Sequence, residues 1–348
     1  MAVSGLIILF LLAFVDSATI SFTSDQTTTI DEQITEASMS KRAPESQDDD
    51  SLELHELDMR LTPKQLQSLQ NPSMSSNYNT NTNGLTSRAI LNTTILWPNN
   101  RIPYIISSGI FNETQTKEIM KAINEWQNHT CIKFEPANQS DKNYVDFDNG
   151  TGCSSGVGML GGAQKLYLAE SCRKKRLIIH EIGHVIGYNH EQSRPDRDDY
   201  VEIMTANIKE QRLSNFRKLL PETFANYTPY DYTSIMHYGK TYFSANNQTT
   251  MRTKNPAYQD IIGTVKNVSF YDIKDVNIMY NCAGHCQNKP ICPGEAFVGK
   301  DCKCWCPGKG DNPFVYCSSD PVTPATTNSP SVARQQVINI NIDIKINI

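Results

Sequence analysis

"HEIGHVIGYNHEQSRPDR", residues 180–197, holds three of the chain's seven histidines within eleven residues. The surrounding "RKKRLIIHEIGHVIGY" predicts a helix over roughly Arg173 to Gly187. His180 and His184 are four apart on it, so both imidazoles project from one face and can share a metal ion. Gly187 can take the backbone conformation that ends a helix, which turns the chain and brings His190 to the same ion from another direction. Three neutral imidazoles leave a position open for water, the arrangement of a catalytic zinc site rather than a structural one. Glu181 follows the first of these ligands, where its carboxylate reaches that water without occupying the ion. It would act as general base and later deliver the proton to a leaving amine. The alternative is a helix with surface histidines, in which a Glu and a Gly at these further positions would be coincidence.

Composition indicates where such a site would work. Leu6 to Val15, "LIILFLLAFV", is an apolar run too short for a comfortable membrane span, and small residues follow at Ser17 and Ala18. Residues 1–18 are therefore expected to be a signal peptide, although no Lys or Arg precedes the run. Ten cysteines, an even number, can all pair in an oxidising compartment. Asn92, Asn112, Asn128, Asn138, Asn149, Asn226, Asn247 and Asn267 each open a glycosylation triplet. The expectation is a secreted, extracellular, disulfide-bonded glycoprotein with no transmembrane segment.

The formal charge of −5 is unevenly spread, because residues 19–88 carry five basic against eleven acidic side chains. The rest is nearly neutral, which gives no footprint for nucleic acid. Residues 19–88 are also rich in Ser, Thr, Asn, Gln and Asp and cannot bury much of a core. One amphipathic patch, "LELHELDMRLTPKQLQSL" at 52–69, interrupts them, and they close at Arg88, a natural cut for a trypsin-like protease. Such a segment is expected to be a propeptide.

Ordered signals begin after Ala89. "TQTKEIMKAINEWQNHT" places Ile119, Ile123 and Trp126 on one helix face, while "CIKFEP", "YVDFD" and "KLYLA" read as short strands. A domain of residues 89–282 ends at Cys282. Six cysteines then fall within 283–317, a length that needs staples rather than a core, and they allow fifteen pairings among which sequence does not choose. Residues 318–348 form a Ser/Thr/Pro linker and an alternating Ile/Asn tail with no functional reading.

His-Glu-x-x-His-x-x-Gly-x-x-His is shared by the metzincin peptidases, and "EQSRPDRDDYV" after His190 is similar to the astacin family pattern at every fixed position. "SIMHYGK" at 234–240 resembles the family's Met-turn, and "LWPNNRIPY" and "GVGMLGGAQKLYL" extend the likeness over most of residues 89–282. The resemblance implies an α+β astacin-like catalytic domain with a twisted mixed sheet and two long helices. Its zinc would lie at the bottom of a cleft between two subdomains, and here a small disulfide-rich C-terminal module would follow.

By the same resemblance His180, His184 and His190 bind one zinc, Glu181 is the general base and Met236 lies under the ion. Tyr238 is a fifth ligand that swings away to stabilise the oxyanion. Cys131 pairs with Cys282 and Cys153 with Cys172. "GAQKLYL" is the edge strand that pairs with an extended peptide or protein substrate. Cleavage at Arg88–Ala89 frees an amine that pairs with Glu191. Asp58 matches the Asp of the family's Phe-x-Gly-Asp latency motif, but His55 and Leu57 replace its Phe and Gly. The competing reading of Asp58 is an acidic residue in a solvated stretch.

The activity so implied is that of a secreted zinc endopeptidase made as a zymogen. Its rival is a secreted, glycosylated binding or matrix protein that uses the peptidase fold as a scaffold.

Overall fold

The computed structural model describes residues 52–56, 58–70, 96–221 and 227–317. The expected signal peptide, the Arg88–Ala89 bond, Asn92, Asn226 and the C-terminal tail lie outside them. No helix among the described residues is long and apolar enough to cross a membrane.

The amphipathic patch of the acidic segment forms strands β1 (Glu53–His55) and β2 (Met59–Leu61), then helix α1 (Pro63–Gln70). Thr62 caps that helix, since its hydroxyl accepts from Gln65 N while Gln65 Oε1 accepts from Thr62 N. Met59 and Leu61 are buried against Val157. The segment is thus a docked element, held by a small apolar contact of its own.

β3 (Arg101–Ile106) leads to helix α2 (Glu113–His129), which Asn112 and Gln115 open with a second capping box. Ile119, Ala122, Ile123 and Trp126 recur at helical spacing and are the residues α2 buries. Next come β4 (Lys133–Pro136), β5 (Tyr144–Asp148), β6 (Cys153–Gly156), β7 (Ala163–Leu168) and helix α3 (Lys175–Ile186). The strands form one mixed sheet in the order β1-β2-β6-β7-β5-β3-β4. β3, β4, β5 and β7 run parallel, while β6 is antiparallel to β7. Helices α2 and α3 pack on the sheet around Phe147, Leu166, Ile178 and Ile182, and Trp126 Nε1 donates to Ile179 O at 3.0 Å.

The topology corrects one expectation. β7, the strand of "GAQKLYL", is not the sheet edge, because β6 and β5 flank it. The catalytic domain's own edge is β6, "CSSG", and β2 covers it in parallel, with Met59 opposite Ser155 and Arg60 opposite Gly156. β6 carries buried Ser154 and Ser155 and shows no apolar alternation, so it gives no strand signal.

After Gly187 regular structure is sparse. β8 (Val201–Ile203) and β9 (Met251–Thr253) make a two-stranded ribbon, and short 3-10 turns fill much of the rest. Helix α4 (Phe270–Met279), capped by Ser269, brings Ile273 and Val276 back to the main core. Cys131–Cys282 and Cys153–Cys172 are bonded as the family resemblance implies. The remaining six cysteines pair as Cys286–Cys302, Cys292–Cys304 and Cys306–Cys317 around a small sheet of β10 (Phe297–Val298), β11 (Cys304–Pro307) and β12 (Phe314–Tyr316). This module also joins the core: Phe297 and Trp305 are buried, and Phe297 meets Phe270 of α4 with ring centroids 5.5 Å apart.

Candidate metal centre

Helix α3 is two residues shorter at its start than the pattern predicts and ends at Ile186, where Gly187 takes φ 128°. That conformation lets Gly187 N reach Gly183 O and His184 O and turns the chain toward His190, and a side chain there would be strained. His180, His184 and His190 converge as the sequence predicts. Asp58 of the docked segment completes a buried group whose ligand atoms lie within 4.8 Å of one another. Asp58 Oδ2 is 3.0 Å from His190 Nε2, 3.4 Å from His180 Nε2 and 3.9 Å from His184 Nε2.

The other ring nitrogens are engaged. His180 Nδ1 donates to Ile235 O at 2.9 Å, His184 Nδ1 to Tyr188 O at 2.7 Å and His190 Nδ1 to Glu56 Oε2 at 2.6 Å. These bonds orient the three rings and turn each Nε2 toward the centre of the group.

Three observations show that a cation suits this centre. His184 Nε2 and Asp58 Oδ1 are fully buried, with no hydrogen-bond partner among the described residues. Burial, opposed by the Asp58 hydrogen bond, brings His180 down to about 4, so it is a neutral donor at neutral pH. His190 goes the other way: against burial, the charge and hydrogen bond of Asp58, joined by Glu56, push it up to about 10. The two carboxylates draw positive charge into the group. Three imidazole nitrogens and one carboxylate oxygen form a four-coordinate donor set that suits zinc.

Glu181 is fully buried beside the group. Burial first, and the Asp58 charge second, push its carboxyl well above the usual range. Ser155 Oγ lies 3.1 Å from its Oε2, while Oε1 has no partner among the described residues. Met236 underlies α3 so closely that a Cβ added at Gly183 would sit 2.5 Å from its sulfur. Tyr238 is buried with its ring centroid 4.5 Å from that of His190. Its hydroxyl, kept protonated by burial and nearby negative charge, lies 3.4 Å from Glu56 O.

Several residues that shape the site were not singled out from sequence. Asp272 ties α4 to the turn carrying Met236, accepting from Ser234 Oγ at 2.7 Å and Ile235 N at 2.9 Å. In sequence it reads only as part of the Ser269 capping box. Gln192 Oε1 accepts from Tyr238 N. Glu191, which the family resemblance does single out, accepts at Oε1 from Asp231 N at 2.7 Å. Glu56 gave no signal beyond an acidic residue in an acidic segment.

The model of the Astacin peptidase family matches residues 89–281, more than half of the chain. The chain belongs to the astacin family. Its relatives include zinc metalloproteinase nas-36 of Brugia malayi, 39% identical over 194 residues, which are 55% of this chain and 33% of that protein. Zinc metalloproteinase nas-15 of Caenorhabditis elegans is 42% identical over 195 residues, covering 56% and 34%. Blastula protease 10 of Paracentrotus lividus is 36% identical over 221 residues, covering 61% and 37%. The matched stretches amount to about a third of the length of these relatives. A solved structure, the hatching enzyme zinc-protease HCE-1 of Oryzias latipes, is 35% identical, with 54% of this chain and 94% of that one covered at a TM-score of 0.49. As an astacin, a family of zinc metalloendopeptidases, the chain has zinc as the ion expected by its buried Asp58, His180, His184 and His190.

Proposed function

We propose that this chain is a secreted zinc endopeptidase made as a latent precursor, with a signal peptide over 1–18, a propeptide over 19–88, a peptidase domain over 89–282 and a Cys-rich module over 283–317. The observation that carries this reading is the convergence of the three histidines beside the buried carboxylate of Glu181, with Asp58 closing the group. His180, His184 and His190 hold the ion. Zinc in this position supplies Lewis acidity toward a peptide carbonyl. Glu181 takes the proton of the attacking water and returns it to the leaving amine. Tyr238, a protonated phenol, donates to the oxygen on which charge develops.

Latency follows from Asp58, which takes the position that water and substrate need. A trypsin-like protease cutting near Arg88–Ala89 releases the segment and frees an amine, for which the buried carboxylate of Glu191 is the partner. Departure of β2 uncovers β6, and an extended peptide can add to that edge. The substrates are accordingly extended stretches of peptides and proteins.

The test is cleavage of a denatured protein substrate by the recombinant full-length chain after trypsin nicking, with N-terminal sequencing of the product. The expected result is a new N-terminus near Ala89 and activity that a chelator abolishes and Glu181→Gln lowers by about 10²–10⁴-fold or more. Bound zinc and the correct N-terminus without turnover would overturn the reading in favour of a binding or matrix protein.

A further inference from the structure

Among the three histidines, His190 alone draws its orienting partner from outside the catalytic domain. His180 and His184 donate Nδ1–H to Ile235 O and Tyr188 O, carbonyls of the catalytic domain itself. His190 Nδ1 instead donates to Glu56 Oε2 at 2.6 Å. Such a bond to a carboxylate is stronger than one to a carbonyl and makes the ring a better ligand. The Glu56 carboxylate belongs to a residue only 6% exposed and also lies 3.3 Å from Ser193 Oγ and 3.5 Å from the Tyr238 hydroxyl. Its backbone adopts φ 51°, in the left-handed region that a non-glycine residue enters at a cost of about 1–3 kcal/mol. A turn residue with no task would point its carboxylate to water. Glu56 is held in an unfavourable backbone conformation with its carboxylate turned inward.

We propose that Glu56 is a second clamp of the latent state: a positioning residue that holds His190 toward the ion and engages the Tyr238 hydroxyl. It acts from behind the ligands while Asp58 acts in front of them, and it rests on the reading of residues 52–70 as part of an inhibitory propeptide. Removal of the segment would then strip the ion of its fourth ligand, remove the carboxylate that orients its third histidine and release the Tyr238 hydroxyl. The precursor should accordingly hold zinc more tightly than the mature enzyme, by a margin that Asp58 alone does not supply.

The experiment measures zinc transfer from the zinc-loaded full-length precursor to a chromogenic chelator, for the wild type, Glu56→Ala, Glu56→Gln and Asp58→Ala. The same proteins are measured again after trypsin removes the segment. The proposal predicts that Glu56→Ala speeds zinc loss from the precursor by about 10–100-fold, with Glu56→Gln in between, because an amide oxygen still accepts from Nδ1–H without a charge. Cobalt substitution provides a spectroscopic check: the precursor spectrum should shift in Glu56→Ala, which a change in overall stability would not produce.

After nicking, the wild type and both Glu56 variants are the same polypeptide and must release zinc at one rate, which controls for misfolding. A Glu56→Ala precursor that releases zinc at the wild-type rate, while Asp58→Ala accelerates release, overturns the clamp and leaves the propeptide reading intact. If neither substitution changes zinc release or latency, the propeptide reading itself falls and the clamp with it.

Discussion

The two sides of the histidine cluster are built by different means. Before Gly187 the described residues make a sheet and three α-helices, and the buried residues of α2 recur with the period of that helix. Between Gly187 and Phe270 the described residues make one short ribbon and a series of 3-10 turns. That side is nevertheless as dry: Tyr230, Tyr238, Tyr242 and Phe243 are buried, as is the guanidinium of Arg194. With few ladders, its backbone is satisfied by turn bonds and, in part, by buried side chains. Arg194 donates to Thr228 O and Pro229 O, and pairs with Asp196 at 2.6 Å and Glu191 at 3.4 Å. Arg197 donates to Gln192 O and Phe216 O. Tyr200 stacks on Tyr230 with centroids 4.6 Å apart. One side of the site is therefore held by regular elements around the main apolar core, and the other by a smaller aromatic cluster together with buried polar bonds.

The largest test of this contrast is a pair of substitutions read by denaturant unfolding. Trp126→Ala opens a cavity between α2 and α3 and should cost about 3–5 kcal/mol. Arg194→Leu keeps the apolar bulk but removes the guanidinium's buried bonds to Glu191, Asp196 and two carbonyls, and should cost about as much, 3–5 kcal/mol. If Arg194→Leu costs less than about 1 kcal/mol, the polar account of the second side fails.

A smaller effect appears in the pH dependence of stability. Burial, then the charge of Asp231, push the Asp272 carboxyl up to about 7, against hydrogen bonds from Ile235 N, Ser269 N and Ser234 Oγ. Its pKa in the unfolded chain is about 3.9. Between about pH 4 and pH 7 the folded state therefore holds a proton that the unfolded state has lost, and stability must fall as pH rises through that window. The slope from this group is at most about 1.4 kcal/mol per pH unit. Asp272→Asn should flatten it, with a pH-independent loss of about 1–3 kcal/mol from the mismatched donors. Melting curves from pH 4.5 to 7.5 check this, and an unchanged slope would exclude Asp272 as the group that titrates.

The same contrast explains what the sequence could tell. The zinc helix was legible because His180, Glu181 and His184 combine a chemical signature with helical spacing, and α2 because Ile119, Ile123 and Trp126 keep one face. The positions of Met236, Tyr238 and the bonded cysteines of the catalytic domain came through family resemblance, since no local period marks them. Beyond Gly187 the contacts that matter link residues tens of positions apart, such as Asp272 with Ser234, and each partner looks ordinary alone. β6 was missed because its buried residues are serines. Glu56 was missed because its importance lies in a turn conformation and in contacts with residues more than a hundred positions away.

The central claim, that residues of the acidic segment close a zinc site built by the peptidase domain, is tested most directly by a zinc-edge anomalous difference map from crystals of the zinc-loaded full-length precursor. The account predicts one peak at about 2.0–2.2 Å from Nε2 of His180, His184 and His190 and from a carboxylate oxygen of Asp58. A peak coordinated by the three histidines with Asp58 turned away from it, or no peak at this position, would contradict the account.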